Sequence, residues 1–181
     1  VNQDHYRTPI LHSVIQGMEP YFAGNHEKIE GIAVSATGQI DEKTGTVIGT
    51  NGRISGYEGL PIRGSLEKHF GVPVTVINDG NAAVLGECRA GAGVGYEHVI
   101  MLVLGTGVGG GMVLGGQLYQ GMRGIAGEIG HVTLYQNGER CSCGKRGCFE
   151  NYASVNALIR RAMLRSGQAM TGRDIFQRAQ A

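Results

Sequence analysis

The sequence predicts an α/β protein, and three observations carry that prediction. Short apolar, β-branched runs of strand length alternate with amphipathic stretches of helix length. The strand-like runs end in glycine, asparagine or aspartate, residues that punctuate a chain. Glycine, 32 of 181 residues, far exceeds its usual share of about 7% and sits at the ends of apolar runs, where turns and close backbone approaches need it.

Taken in order, the first element is a helix. Thr8-Pro9 precedes Ile10, Leu11, Val14, Ile15 and Met18, a capped amphipathic pattern with proline at its first position. IEGIAVSATG (29–38) reads as a short buried strand running into a glycine-containing loop. VPVTVIND (72–79) is a second, more β-branched strand that stops at Asn78-Asp79. NAAVLGECRAG (81–91) has a helical pattern, with Asn78 or Asp79 near its cap and Gly91 near its end. EHVIMLVL (97–104) is a third strand and breaks into GTGVGGG (105–111). MVL and QLY flank Gly-Gly within 112–119 and predict a hairpin. A helix from Ser154 to Arg165 carries Val155, Leu158, Ile159 and Met163 on or near one face. Thr171 to Asp174 is the signature of a capping box opening a last helix.

The totals narrow the function classes. A formal net charge of +1 implies neither a nucleic-acid partner nor a membrane surface. No apolar run has the length of a membrane span, and no charged start leads into an apolar signal core. Four cysteines grouped as three plus one argue against a secreted disulfide framework and for the reducing cytoplasm.

Three motifs carry chemistry. Gly105, Gly107 and Gly110 satisfy a dinucleotide-binding fingerprint formally, but that motif needs a helix next, and a hairpin follows here. Two readings remain for the loop: a tight structural turn, or bare amides forming an anion-binding concavity, with Thr106 adding a hydroxyl. Five glycines in seven residues exceed what a turn needs, which favours phosphate. Asp79 stands at the carboxyl end of a strand, where open α/β sheets collect ligands. It can cap the following helix, act as a general base, or do both. Cys141, Cys143 and Cys148, with His131 upstream, suit a closed four-ligand site that selects zinc in a structural role. The competing readings are free buried cysteines and a redox pair, the latter weakened by the absence of C-x-x-C. Glycines 144 and 147 let such a loop wrap tightly, and Glu128 and Glu150 flank it without being needed as ligands.

NDGNAA (78–83), LGTGVGGG (104–111), AGEIGH (126–131) and CSCGKRGCFENYAS (141–154) together resemble the ROK family of bacterial sugar kinases and related transcriptional repressors. The likeness runs from about residue 29 to about residue 165. It implies an actin-like ATPase (ribonuclease H-like) fold of two lobes, here 1–86 and 87–181, with the active site in the cleft between them. It further implies that Asp79 takes the proton from a hexose hydroxyl, commonly on C6, as that oxygen attacks ATP. Asn78, Asp79, Glu128, His131 and Glu150 would hold the sugar, with Gly38 and Asn51 as further candidates on nearby loops. Gly105, Thr106, Gly107 and Gly109 would contact ATP phosphates, with Mg2+ neutralising the triphosphate. His131, Cys141, Cys143 and Cys148 would bind structural Zn2+, the imidazole coordinating through one nitrogen and facing sugar with the other. A homodimer is the assembly the family implies.

The sequence departs from the family pattern in places. Ile77 stands where Glu often precedes the Asn-Asp pair, and Ser35-Ala36-Thr37-Gly38 replaces a Pro-Gly-rich loop, which leaves glucose and N-acetylhexosamines both open as substrates. No Asp-Gly-Gly-Thr phosphate loop occurs, and the family's closing strands and C-terminal helix have no counterpart, so the chain reads as an internal fragment and a poor kinase alone. The alternative is a sugar-responsive repressor whose DNA-binding part lies outside this chain; no basic recognition helix is visible within it.

Overall fold

The computed structural model of the protein describes residues 9–24, 28–50 and 54–180. The chain forms two compact units, one running to Ala82 and including Gly121–Ile125, the other combining Ala83–Gln120 with Ala126–Ala181.

The first unit contains α1 (Ile10–Phe22), β1 (Ile32–Ala36), β2 (Gln39–Asp41), β3 (Thr46–Gly49), α2 (Ile62–Phe70) and β4 (Val74–Asn78). Pro9 lies just ahead of α1, with φ −52° and ψ 129°, rather than at its first helical position; Thr8 lies outside the described residues. The apolar face of α1 packs on a core built from Ala36, Ile40, Val47, Tyr57, Leu66 and Val76, and Phe22 at its end stacks on Phe70 of α2. Such burial of large side chains is the main stabilising term here.

β1 and β4 pair in parallel from Ile32↔Val74 to Ala36↔Asn78, so their carboxyl ends finish side by side. The short buried strand expected within 29–38 spans Ile32–Ala36 and is one-sided. Ala33 and Ser35 are exposed, Ile32 and Val34 are half-buried, and only Ala36 is buried. One face of this two-stranded pair is covered, which gives alternation rather than a continuous apolar run. β2 and β3 form an antiparallel hairpin, tied to α2 by Arg63, whose guanidinium donates to the carbonyls of Lys43 and Glu42 at 2.7 and 2.6 Å.

α3 (Asp79–Ala90) starts two residues before the expected run and closes where Gly91 N donates to Glu87 O. The second unit carries an antiparallel sheet of β5 (Val99–Leu104), β6 (Val108–Leu114) and β7 (Gln117–Leu118). The expected Gly-Gly hairpin joins β6 to β7, with φ of 60° and 73° at Gly115 and Gly116, the left-handed pair that a tight hairpin turn requires. A 3₁₀ turn (Ile129–His131) and α4 (Glu150–Ala153), α5 (Val155–Ser166) and α6 (Gly172–Ala179) follow. Ser154 caps α5, accepting from Ala157 N at 3.1 Å. The apolar face expected on α5 is largely open, since Ala157 alone is buried. Thr171 and Asp174 form the expected capping box on α6. Among the described residues, no helix is long and apolar enough to cross a membrane.

Candidate active site

In the first unit, the paired ends of β1 and β4 bring Gly38, Asn78 and Asp79 together. Asn78 Oδ1 accepts from Gly80 N at 2.9 Å and Asn81 N at 3.1 Å, the second and third amides beyond it. Asn78 is therefore the main helix cap, and Asp79 shares only the first of those amides. Asp79 Oδ1 accepts from Gly80 N at 2.9 Å and from Asn78 Nδ2 at 3.1 Å. Its Oδ2 makes no hydrogen bond to the described residues, and the side chain is exposed. The carboxylate is thus anchored through one oxygen and presents the other.

Asn78 Nδ2 also donates to Gly38 O at 2.9 Å, which ties the loop after β1 to the end of β4. Gly38 has φ +87°, and a Cβ there would stand 2.6 Å from Gly49 O, so only glycine fits. Its contribution is therefore through the backbone. Tyr57, only 4% exposed, donates from its hydroxyl to Thr37 O at 3.1 Å and clamps the same loop. Burial, with the Asp79 charge nearby, pushes its phenol up, so it stays protonated and donates. Sequence reasoning missed Tyr57; an aromatic flanked by glycines in SGYEG was its only signal. Asn81, 3% exposed with an unpartnered Oδ1, was missed too. Asn51 lies outside the described residues.

In the second unit, Leu104 pairs with Val108, so only Gly105-Thr106-Gly107 remains as loop. Gly105 N donates to Gly107 O at 2.9 Å and closes a tight turn with Thr106 exposed at its tip. The long glycine loop expected from 105–111 is thereby corrected. Gly109, Gly110 and Gly111 are strand residues paired with Val103, Leu102 and Met101. The surplus glycine serves packing: a Cβ at Gly110 would meet Met101 O at 2.7 Å and Gly127 O at 3.1 Å, because the segment leading to His131 crosses β6 there. Gly109 has open space beside it and is exposed.

His131, Cys141, Cys143 and Cys148 converge, with their ligand atoms all within 4.8 Å of one another. His131 Nδ1 is 3.6 Å from Cys141 Sγ, and Cys143 Sγ is 3.6 Å from Cys148 Sγ. A tetrahedral ion with Zn–S of about 2.3 Å and Zn–N of about 2.0–2.1 Å demands edges of roughly 3.6–3.8 Å; the donor chemistry suits zinc, and the His131–Cys141 and Cys143–Cys148 edges match that spacing. Burial and hydrogen bonds from Cys141 and Cys143 push the Cys148 thiol up to about 12; holding it as a thiolate takes a positive charge in the loop. Gly144 and Gly147, at φ +87° and +71°, make the tight wrap.

With Nδ1 turned to the cysteines, His131 Nε2 points elsewhere and lies 4.0 Å from Glu128 Oε2. Thr133 bridges Cys148 antiparallel, and Phe149 N donates to Val132 O, a register that sets Glu150 opposite His131. Glu150 Oε2 accepts from Val108 N at 2.9 Å. The fold therefore sets Glu128 beside the His131 imidazole and fastens Glu150, opposite His131 in register, to the glycine turn.

The ROK family profile matches residues 3–181. A glucokinase of Halalkalibacterium halodurans is 38% identical over 155 residues, which cover 83% of this chain and 46% of that protein. The xylose repressor of Bacillus subtilis is 37% identical over 130 residues, covering 72% of this chain and 33% of the repressor. Among solved structures, a ROK family glucokinase from Streptomyces griseus in complex with glucose and AMPPNP superposes with TM-score 0.78 at 34% identity, covering 93% of this chain and 60% of that one. The chain thus spans about half the length of the curated relatives it matches. Its architecture is the actin-like ATPase fold shared with these sugar kinases.

Proposed function

The chain belongs to the ROK family, and from that premise we propose that it carries the sugar-phosphorylating centre of an ATP-dependent hexose kinase. Asp79 takes the proton from the C6 hydroxyl as that oxygen attacks the γ-phosphorus of ATP; the bond to the β,γ-bridging oxygen breaks and ADP leaves. Asn78, Glu128, His131 and Glu150 hold sugar hydroxyls, with Gly38 and Asn51 on the loops beside them. Gly105, Thr106 and Gly107 contact the phosphates through turn amides and a hydroxyl, with Gly109 next to them, and Mg2+ shares the charge. Phosphoryl transfer asks a protein mainly for positioning and charge stabilisation, and these groups are of the kind that supply both.

The observation that supports this most is the division of labour at the end of β4. Asn78 caps α3, so Asp79 keeps an unbonded oxygen at the strand end. His131, Cys141, Cys143 and Cys148 would hold Zn2+ as a closed structural site that fixes the imidazole, leaving an Nε2–H as donor towards a hydroxyl. Glucose and N-acetylhexosamines are the substrate class, and the reading implies a cytoplasmic homodimer.

Likeness to a xylose repressor favours a second reading, in which the same groups bind sugar to signal rather than to react. Incubation of the full-length protein with ATP, Mg2+ and a panel of hexoses, scored for ADP release, separates the two. ADP release dependent on one hexose supports the kinase; tight hexose binding with no ADP release supports the sensor.

A further inference from the structure

Val108 opens β6, and its amide donates to Glu150 Oε2 across 42 residues of chain. A Cβ on Gly107 would collide with that same carboxylate. From the other side, Val155 N donates to Gly105 O at 2.9 Å. The glycine turn is thus gripped at both ends by the segment from Glu150 to Val155. That segment is itself held by Asn151, whose Nδ2 donates to Arg140 O at 3.0 Å, and by Phe149 N on Val132 O.

A carboxylate beside a turn that receives phosphates is electrostatically adverse, since like charges in a poorly solvated site repel. Its presence needs a reason other than nucleotide attraction, and beside sugar binding the hydrogen bond to Val108 supplies one. We propose that Glu150 is a positioning residue for the phosphate turn as well as a sugar-facing group, so that the sugar clamp and the nucleotide grip form one piece. This rests on the reading of Gly105–Gly107 as a phosphate contact. The device is specific in length: glutamate reaches Val108, aspartate is one methylene short, and Gly107 leaves the necessary gap.

Three variants test it by two readouts, exchange of the Val108 amide hydrogen and affinity for MgADP. E150Q keeps an acceptor oxygen at the same reach while removing the charge. It should leave Val108 protected and MgADP affinity unchanged or tighter. E150D and G107A should each speed Val108 exchange and weaken MgADP by about ten-fold, the scale of one lost hydrogen bond to a charged group. Their combination should be no worse than either alone, because both break one contact. Unchanged Val108 exchange in E150D, or E150Q damaging MgADP affinity as much as E150D, would overturn the positioning role. If the unaltered protein bound no MgADP while Val108 responded as described, the phosphate contact itself would be overturned.

Discussion

Asn78 uses both hydrogens of its amide at once, one on Gly38 O at 2.9 Å and one on Asp79 Oδ1 at 3.1 Å, while its own oxygen caps α3. A single side chain thereby starts a helix, fixes the loop after β1 and orients the neighbouring carboxylate. The arrangement follows from register, because Ala36 pairs with Asn78 and brings both strand ends to one level.

These roles separate by substitution. Serine caps as well as asparagine but has no amide to donate. N78S should therefore exceed N78A in folding stability by about 1 kcal/mol in urea unfolding. Both variants should lose sugar affinity to a similar extent, since both free Gly38 O and Asp79 Oδ1. Equal stability of the two would contradict the capping assignment.

The zinc site proposed for the cysteine loop makes an independent prediction. C141S and C148S should abolish stoichiometric zinc, measured by elemental analysis, and should lower the melting temperature. C88S should keep full zinc, because Cys88 lies outside the cluster. Thiolate ligands compete with protons, so zinc should be released progressively on acidification.

The sequence made much of this legible because strands, caps and the clustering of His131 with three cysteines are written locally. Val74–Asn78 stops where Asn78-Asp79 said it would, and the Thr171–Asp174 box is present in full. What it hid are contacts between distant segments. The glycine run looked like one loop, yet its second half is strand, thinned so that the Gly127–His131 segment can cross. Tyr57 on Thr37 and Glu150 on Val108 join residues 20 and 42 apart, which no spacing rule reads. Whether Asn78 or Asp79 capped α3 was equally undecided by composition, since both residue types cap well.

Acid should loosen α6 before the core. Backbone and hydroxyl hydrogen bonds from Thr171 hold the Asp174 carboxyl below the ordinary carboxylate value. A folded-state pKa below the unfolded one gives stability that is complete above about pH 3.9 and fades as pH falls through the folded value. Amide exchange in α6 should thus differ between the unaltered protein and D174N at neutral pH, and the difference should vanish in strong acid. A difference that persists there would contradict the box as its cause.

The role given to Asp79 has the most direct test. In D79N the isosteric amide keeps an oxygen for Gly80 N but accepts no proton. General-base catalysis contributes roughly 10²–10⁴-fold, so in the full-length protein hexose-dependent ADP release should fall by about that factor while the hexose dissociation constant stays within about two-fold. Turnover by D79N within about ten-fold of the unaltered protein would contradict the account, because the proton would then be leaving by another route.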